Sequence, residues 1–144
     1  MKAATRPRGP AVGDLMTSKV FTLKPGDTLE TLYELMDERH VRHVPIVDRE
    51  GDLVGLVTHR DLSRSVLGPQ EGLPLSVQEE ILRRRRVREI MATEVDTIEP
   101  DTPLAEAAET LLENKIGCLP VVEGEHLVGI LTEADFVRHF LERR

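Results

Sequence analysis

The stretch Leu53 to Asp61, LVGLVTHRD, recurs as LVGILTEAD from Leu127 to Asp135. A chain that carries such a pattern twice must build one small supersecondary unit twice, because both copies have the same faces to bury. Each copy reads as an apolar strand broken by one Gly, then Thr-x-x-Asp and an apolar-periodic segment, Leu62 to Leu67 or Phe136 to Leu141. That is a strand running into a helix. Thr58 and Thr132 fall at N-cap positions with Asp61 and Asp135 at N3, a capping-box variant worth about 1 kcal/mol. First-turn N–H groups of such a helix lack intrahelical partners and sit at the positive end of its dipole, so an anion or phosphate also fits there. Capping alone does not require the same Gly and the same strand in both copies.

The duplication extends well beyond this stretch. Val12 to Met16 matches Val87 to Met91, Val20 to Thr22 matches Val95 to Thr97, and Val44 to Val47 matches Leu119 to Val122. The offset is 75 residues up to the turn after Val47 and 74 beyond it, as a surface turn tolerates.

Between these landmarks the periodicity is helical. After a short strand at Val20 to Leu23, Asp27 and Glu30 form a capping pattern, and Leu29, Leu32, Tyr33, Leu35 and Met36 mark one helical face. In the second copy Thr102 is the expected cap with Pro103 at N1, followed by Leu104, Ala107, Ala108, Leu111 and Leu112. Val44 to Val47 with Leu53 to Val57, and Leu119 to Val122 with Leu127 to Leu131, read as hairpins. Each repeat is thus strand, helix, strand, strand, helix. A repeat of about 55 residues is marginal alone, so a shared core is expected.

These pieces, in order and twice, resemble a tandem pair of cystathionine-β-synthase (CBS) domains, a Bateman module. They are the Met16-Thr17 and Met91-Ala92 leads, the short strands ending at Thr22 and Thr97, the Pro-containing strands and the Gly-x-x-Thr-x-x-Asp junctions. The resemblance implies an α+β fold of two β-α-β-β-α repeats related by a pseudo-twofold axis, with small sheets covered by helices. It divides the chain into a mobile tail at residues 1–11, repeats at 12–68 and 87–144, and a linker with a short helix at 69–86. Within that linker Ser76 and Glu79 suggest a capping box, and the run Arg83 to Arg86 complements the helix dipole or contacts an anion or partner.

The chain has 26 acidic and 19 basic side chains, a net charge of −7, which argues against general nucleic-acid binding through phosphate neutralisation. Its single cysteine, Cys118, cannot form an internal disulfide, and no signal peptide or long apolar run is evident. A cytoplasmic protein without membrane association is expected.

No constellation for catalysis stands out, so no enzyme is expected. His40, His43 and His59 lack the spacing and partners of a zinc site, and Cys118 has no base fixed beside it. A nucleotide site is better supported. A carboxylate can accept both ribose hydroxyls and a Thr hydroxyl can bond to phosphate. In proteins of the resembled family, adenosine nucleotides occupy the cleft between the repeats. Matching positions are Asp61 and Asp135 for ribose, Thr58 and Thr132 for ribose or phosphate, and Thr22 and Thr97 at the ends of the first strands. Backbone around His43, Val44 and Pro45, and around Cys118, Leu119 and Pro120, would meet the adenine, since Pro leaves a neighbouring strand edge unpaired. His59 and Arg60 follow Thr58 where Glu133 and Ala134 follow Thr132, so the sites should differ in charge.

The resemblance implies a regulatory module, homodimeric through its helices, that binds AMP, ADP or ATP as a regulatory ligand, holds no covalently bound cofactor, and signals in trans to an effector protein. The alternatives are a structural dimerisation module with empty clefts, an S-adenosylmethionine binder, and a metal- or nucleic-acid-associated protein.

Overall fold

The computed structural model describes residues 9–68 and 72–143; the expected tail through Arg8 and linker residues 69–71 lie outside them. Its elements are α1 (Val12–Leu15), α2 (Leu29–Arg39), β1 (His43–Val47), β2 (Leu53–Thr58), α3 (His59–Leu67), α4 (Leu75–Arg84), a 3-10 turn (Val87–Glu89), α5 (Leu104–Asn114), β3 (Cys118–Glu123), β4 (His126–Thr132) and α6 (Glu133–Glu142).

The chain forms two compact units that do not coincide with the sequence repeats. Among the described residues a central unit runs from Phe21 to Val95, and a terminal unit joins residues 9–20 to residues 96–143. Each repeat therefore lends its leading segment to the other repeat's helices and hairpin. The exchange is reciprocal in its backbone bonds. Val12 N–H donates to Thr102 O (2.8 Å) and Gly13 N–H to Pro100 O (2.7 Å), while Val87 N–H donates to Asp27 O (2.8 Å) and Arg88 N–H to Pro25 O (3.0 Å). Likewise Leu104 N–H reaches Pro10 O and Leu29 N–H reaches Arg85 O, both at 3.0 Å. Pro10 and Ala11 are thus docked backbone rather than tail.

In the central unit β1 and β2 pair antiparallel, His43 opposite Thr58 and Val44 opposite Val57. The strand expected at Val20 to Leu23 contracts to one parallel bridge, Leu23 with Ile46, and Ala92 bridges Leu56 on the far side. The terminal unit repeats this with β3 and β4, Ile98 beside Val121, and Thr17 beside Ile130. The first turn spans one more residue than the second, which accounts for the change of offset: Val47 pairs with Leu53, whereas Val122 pairs with Leu127.

The expectation of one shared core is replaced by two clusters. Leu29, Leu32, Met36, Val44, Ile46, Val57, Leu62, Val66 and Val87 form one, and Val12, Leu104, Ala107, Leu111, Leu119, Val121 and Leu131 form the other. Each borrowed lead supplies an apolar residue, Val87 or Val12, that closes the cluster. The helical stripes hold, except that Tyr33 and Leu112 face solvent.

Three helix starts differ from expectation, by one residue at α2 and α5 and by two at α4. Thr28, not Asp27, caps α2 and accepts from Thr31 N–H (3.1 Å), while Asp27 accepts from Lys24 N–H in the preceding turn. Pro103 itself is the N-cap of α5, and α4 begins after Pro74 with Ser76 already inside the helix and no side-chain cap. Helix α4 packs on α2 and α3 through Ile81 and Leu82. Each arginine of the run has a partner: Arg83 and Arg84 pair with Glu80, Arg85 with Glu89, and Arg86 donates to Gly26 O.

Candidate functional sites

In the central unit the strand-to-helix junction behaves as the spacing predicts. Thr58 Oγ1 accepts from Asp61 N–H (3.2 Å) and Asp61 Oδ2 accepts from Thr58 N–H (2.9 Å), closing a reciprocal cap on α3. Register pairing sets His43 opposite Thr58, and the bridge from Leu23 to Ile46 brings the end of the first strand, with Thr22, to the same small sheet. His59 and Arg60 are exposed in the first turn of α3. Arg42, which spacing did not single out, joins them, with its guanidinium 3.5 Å from His59 Nδ1.

Two details temper the anion-binding argument. His59 N–H already donates to Arg42 O (2.8 Å), so with Asp61 N–H also engaged the helix start offers fewer donors than an open one. Pro45 does not leave its strand edge bare, because its carbonyl accepts from Leu23 N–H (3.3 Å); Pro120 O accepts from Ile98 N–H (3.1 Å) in the same way. Val44, Pro45, Leu119 and Pro120 are buried, Val44 and Leu119 within the two core clusters.

The terminal unit places Cys118 opposite Thr132 and adds Thr97 beside the bridging Ile98, but its junction is wired differently. Asp135 is buried, the one buried charged residue among those described. Its Oδ2 accepts from Thr132 N–H (2.8 Å) and from the Thr132 hydroxyl (3.3 Å); its Oδ1 accepts from the Thr17 hydroxyl (3.1 Å) and Arg138 Nη2 (2.6 Å). Glu133 N–H donates to Gly117 O (3.3 Å). Burial, with the charge of Asp135 adding to it, pushes the Cys118 thiol up to about 12, which removes it as a nucleophile near neutral pH. Sequence spacing singles out neither Thr17 nor Arg138 as a partner of Asp135, although Thr17 aligns with Ala92 of the other lead.

Among the described residues no group of three His, Cys, Asp or Glu gathers as a metal site, and no helix is long and apolar enough to cross a membrane.

A family model for the CBS domain matches residues 12–68 and 87–142. The chain is 34% identical over 129 residues to homoserine O-acetyltransferase of Methanococcoides burtonii, covering 89% of this chain but 24% of that enzyme. It spans about a quarter of the length of that relative. Among solved structures it is similar to CBSX2 of Arabidopsis thaliana in complex with AMP, with 32% identity, TM-score 0.79 and coverage of 94% and 100%. It is also similar to the CBS domain pair of protein MJ0100 in complex with 5'-methylthioadenosine and S-adenosyl-L-methionine, with 25% identity, TM-score 0.74 and coverage of 90% and 98%. With both repeats matched in order, the chain belongs to the CBS-domain family as a tandem pair.

Proposed function

We propose that this CBS pair is a regulatory module that takes an adenine nucleotide at the Thr58 and Asp61 junction of the central unit and passes its occupancy to a partner protein. The observation that carries the reading is the Asp61 carboxylate. One oxygen is held by Thr58 N–H, while Oδ1 has no partner among the described residues. An anchored carboxylate with one open oxygen suits ribose hydroxyls, and the Thr58 hydroxyl, still able to donate, lies beside it. Arg42 and Arg60 supply positive charge for a phosphate, with the His59 imidazole beside Arg42. The AMP held by CBSX2 and the adenosine compounds held by the MJ0100 pair support the ligand class.

The test is a thermal-shift panel of AMP, ADP, ATP and S-adenosylmethionine on the wild type and on Asp61→Asn, which keeps an acceptor for Thr58 N–H but loses the charge. A ligand at about 100 times its Kd should add roughly 2.7 kcal/mol to the wild type, and the variant should lose most of that gain. No shift with any compound would leave a structural dimerisation module as the function, and an undiminished shift in Asp61→Asn would remove Asp61 from the site. Signalling is checked by capture on the immobilised protein with and without AMP, which should change the bound partner.

A further inference from the structure

We infer that the two Thr-x-x-Asp junctions are unequal, with Thr17 and Arg138 acting as an internal latch on Asp135, so that an adenosine ligand enters at Asp61 and reaches Asp135 only when the latch is released. This rests on the reading of Asp61 as a ribose site. The side chain of Asp135 is only 2% exposed, and both its oxygens are bonded by Thr132, Thr17 and Arg138. A vicinal diol would have to displace the Thr17 hydroxyl and the Arg138 guanidinium before it could bond there, a cost that falls on binding.

The central unit lacks both elements of the latch. Ala92 bridges Leu56 just as Thr17 bridges Ile130, two residues at matching places in the duplicated strands, so the central unit has no side-chain hydroxyl at the place where Thr17 supplies one. Arg64 stands three residues after Asp61, as Arg138 does after Asp135, yet it makes no ion pair with that carboxylate. The asymmetry is therefore written chiefly in one residue of each exchanged lead. Thr17 and Ala92 are both exposed, so either can be replaced without disturbing a core.

Calorimetric titration of the full chain with AMP decides the matter. The wild type should bind one equivalent per chain, lost in Asp61→Asn. Thr17→Ala combined with Arg138→Ala should admit a second equivalent, while Thr17→Ser, which restores the donor, should keep one. Ala92→Thr installs the missing hydroxyl beside Asp61 and should weaken the first equivalent by about 3- to 10-fold, the scale of one hydrogen bond. Two equivalents of similar affinity in the wild type, or one equivalent in the unlatched variant with Ala92→Thr unchanged, overturn the latch while leaving nucleotide binding intact. Absence of AMP binding in every variant overturns the ligand reading and the latch with it. Because Ala92→Thr acts in the other unit, it answers the question even where the double variant leaves Asp135 too poorly compensated to fold.

Discussion

Met91 lies over Gly55, its Sδ 2.6 Å from where a Cβ on that glycine would stand, and Met16 holds the same relation to Gly129 at 2.5 Å. The glycine that interrupts each duplicated strand is therefore the seat of a methionine from the other repeat's lead. A methionine can bend away, but the Ala92 carbonyl at 3.0 Å and the Thr17 carbonyl at 3.1 Å are backbone and belong to the bridges that dock the leads. Gly55→Ala and Gly129→Ala should each cost about 1 to 3 kcal/mol in stability, the range of an overpacked site. Chemical denaturation checks this, and adding Met91→Ala to Gly55→Ala should recover part of the loss if contact with that side chain is the cause.

Helices α2 and α5 both end on a non-glycine residue in the left-handed region, His40 at φ 55° and Lys115 at φ 54°. Glycine takes that conformation without a Cβ penalty, so His40→Gly and Lys115→Gly should each raise stability by about 0.5 to 1 kcal/mol, the relieved strain outweighing the added unfolded-state freedom. Thermal melts of the two variants test it. A fall in melting temperature at both positions would show that these side chains make contacts worth more than the strain.

The helical stripes make a sharper test, because exposure differs within one helix. Leu32 is fully buried and Leu111 is 6% exposed, whereas Leu112 is 79% exposed. Leu32→Ala and Leu111→Ala should cost about 2 to 5 kcal/mol, while Leu112→Ala should stay within about 0.5 kcal/mol. Equal losses at Leu111 and Leu112 in urea titrations would mean that Leu112 is covered in solution. That outcome would point to an assembly, since Phe140, at the position matching Val66 under α4, is likewise exposed.

Periodicity locates helices α2 to α6, the two hairpins and the Thr58 cap, because spacing decides which face is buried. It placed Leu32 and Leu111 in cores and Thr58 against Asp61. It could not show that Val12 and Val87 each close the other repeat's cluster, since the two leads match each other equally well whichever partner they dock on. The contraction of the first strand to single bridges at Leu23 and Ile98 was equally hidden, for a short apolar run is compatible with any ladder length. The unequal bonding of Asp61 and Asp135 is a tertiary feature that no local spacing encodes: Thr17 is 118 residues from the carboxylate it touches.

Cys118 links the terminal unit to alkaline pH. Its thiol is held up to about 12 from the ordinary 9.0, first by burial and then by the charge of Asp135. In the unfolded chain the same thiol ionises near its ordinary value. Below that value both states carry the proton and the group contributes its full share to stability. Between about pH 9 and 12 the unfolded state has released its proton and the folded state has not, so folding binds a proton and stability falls as pH rises. Urea unfolding across that window should show a declining limb in the wild type, and Cys118→Ala should flatten it relative to the wild type. In the same window a thiol-directed reagent should label the unfolded protein quickly and the folded protein slowly. Parallel alkaline limbs in the two proteins, or fast labelling of folded Cys118 at neutral pH, would show that the thiol is reached by water and that the wall around Cys118 and Asp135 is open.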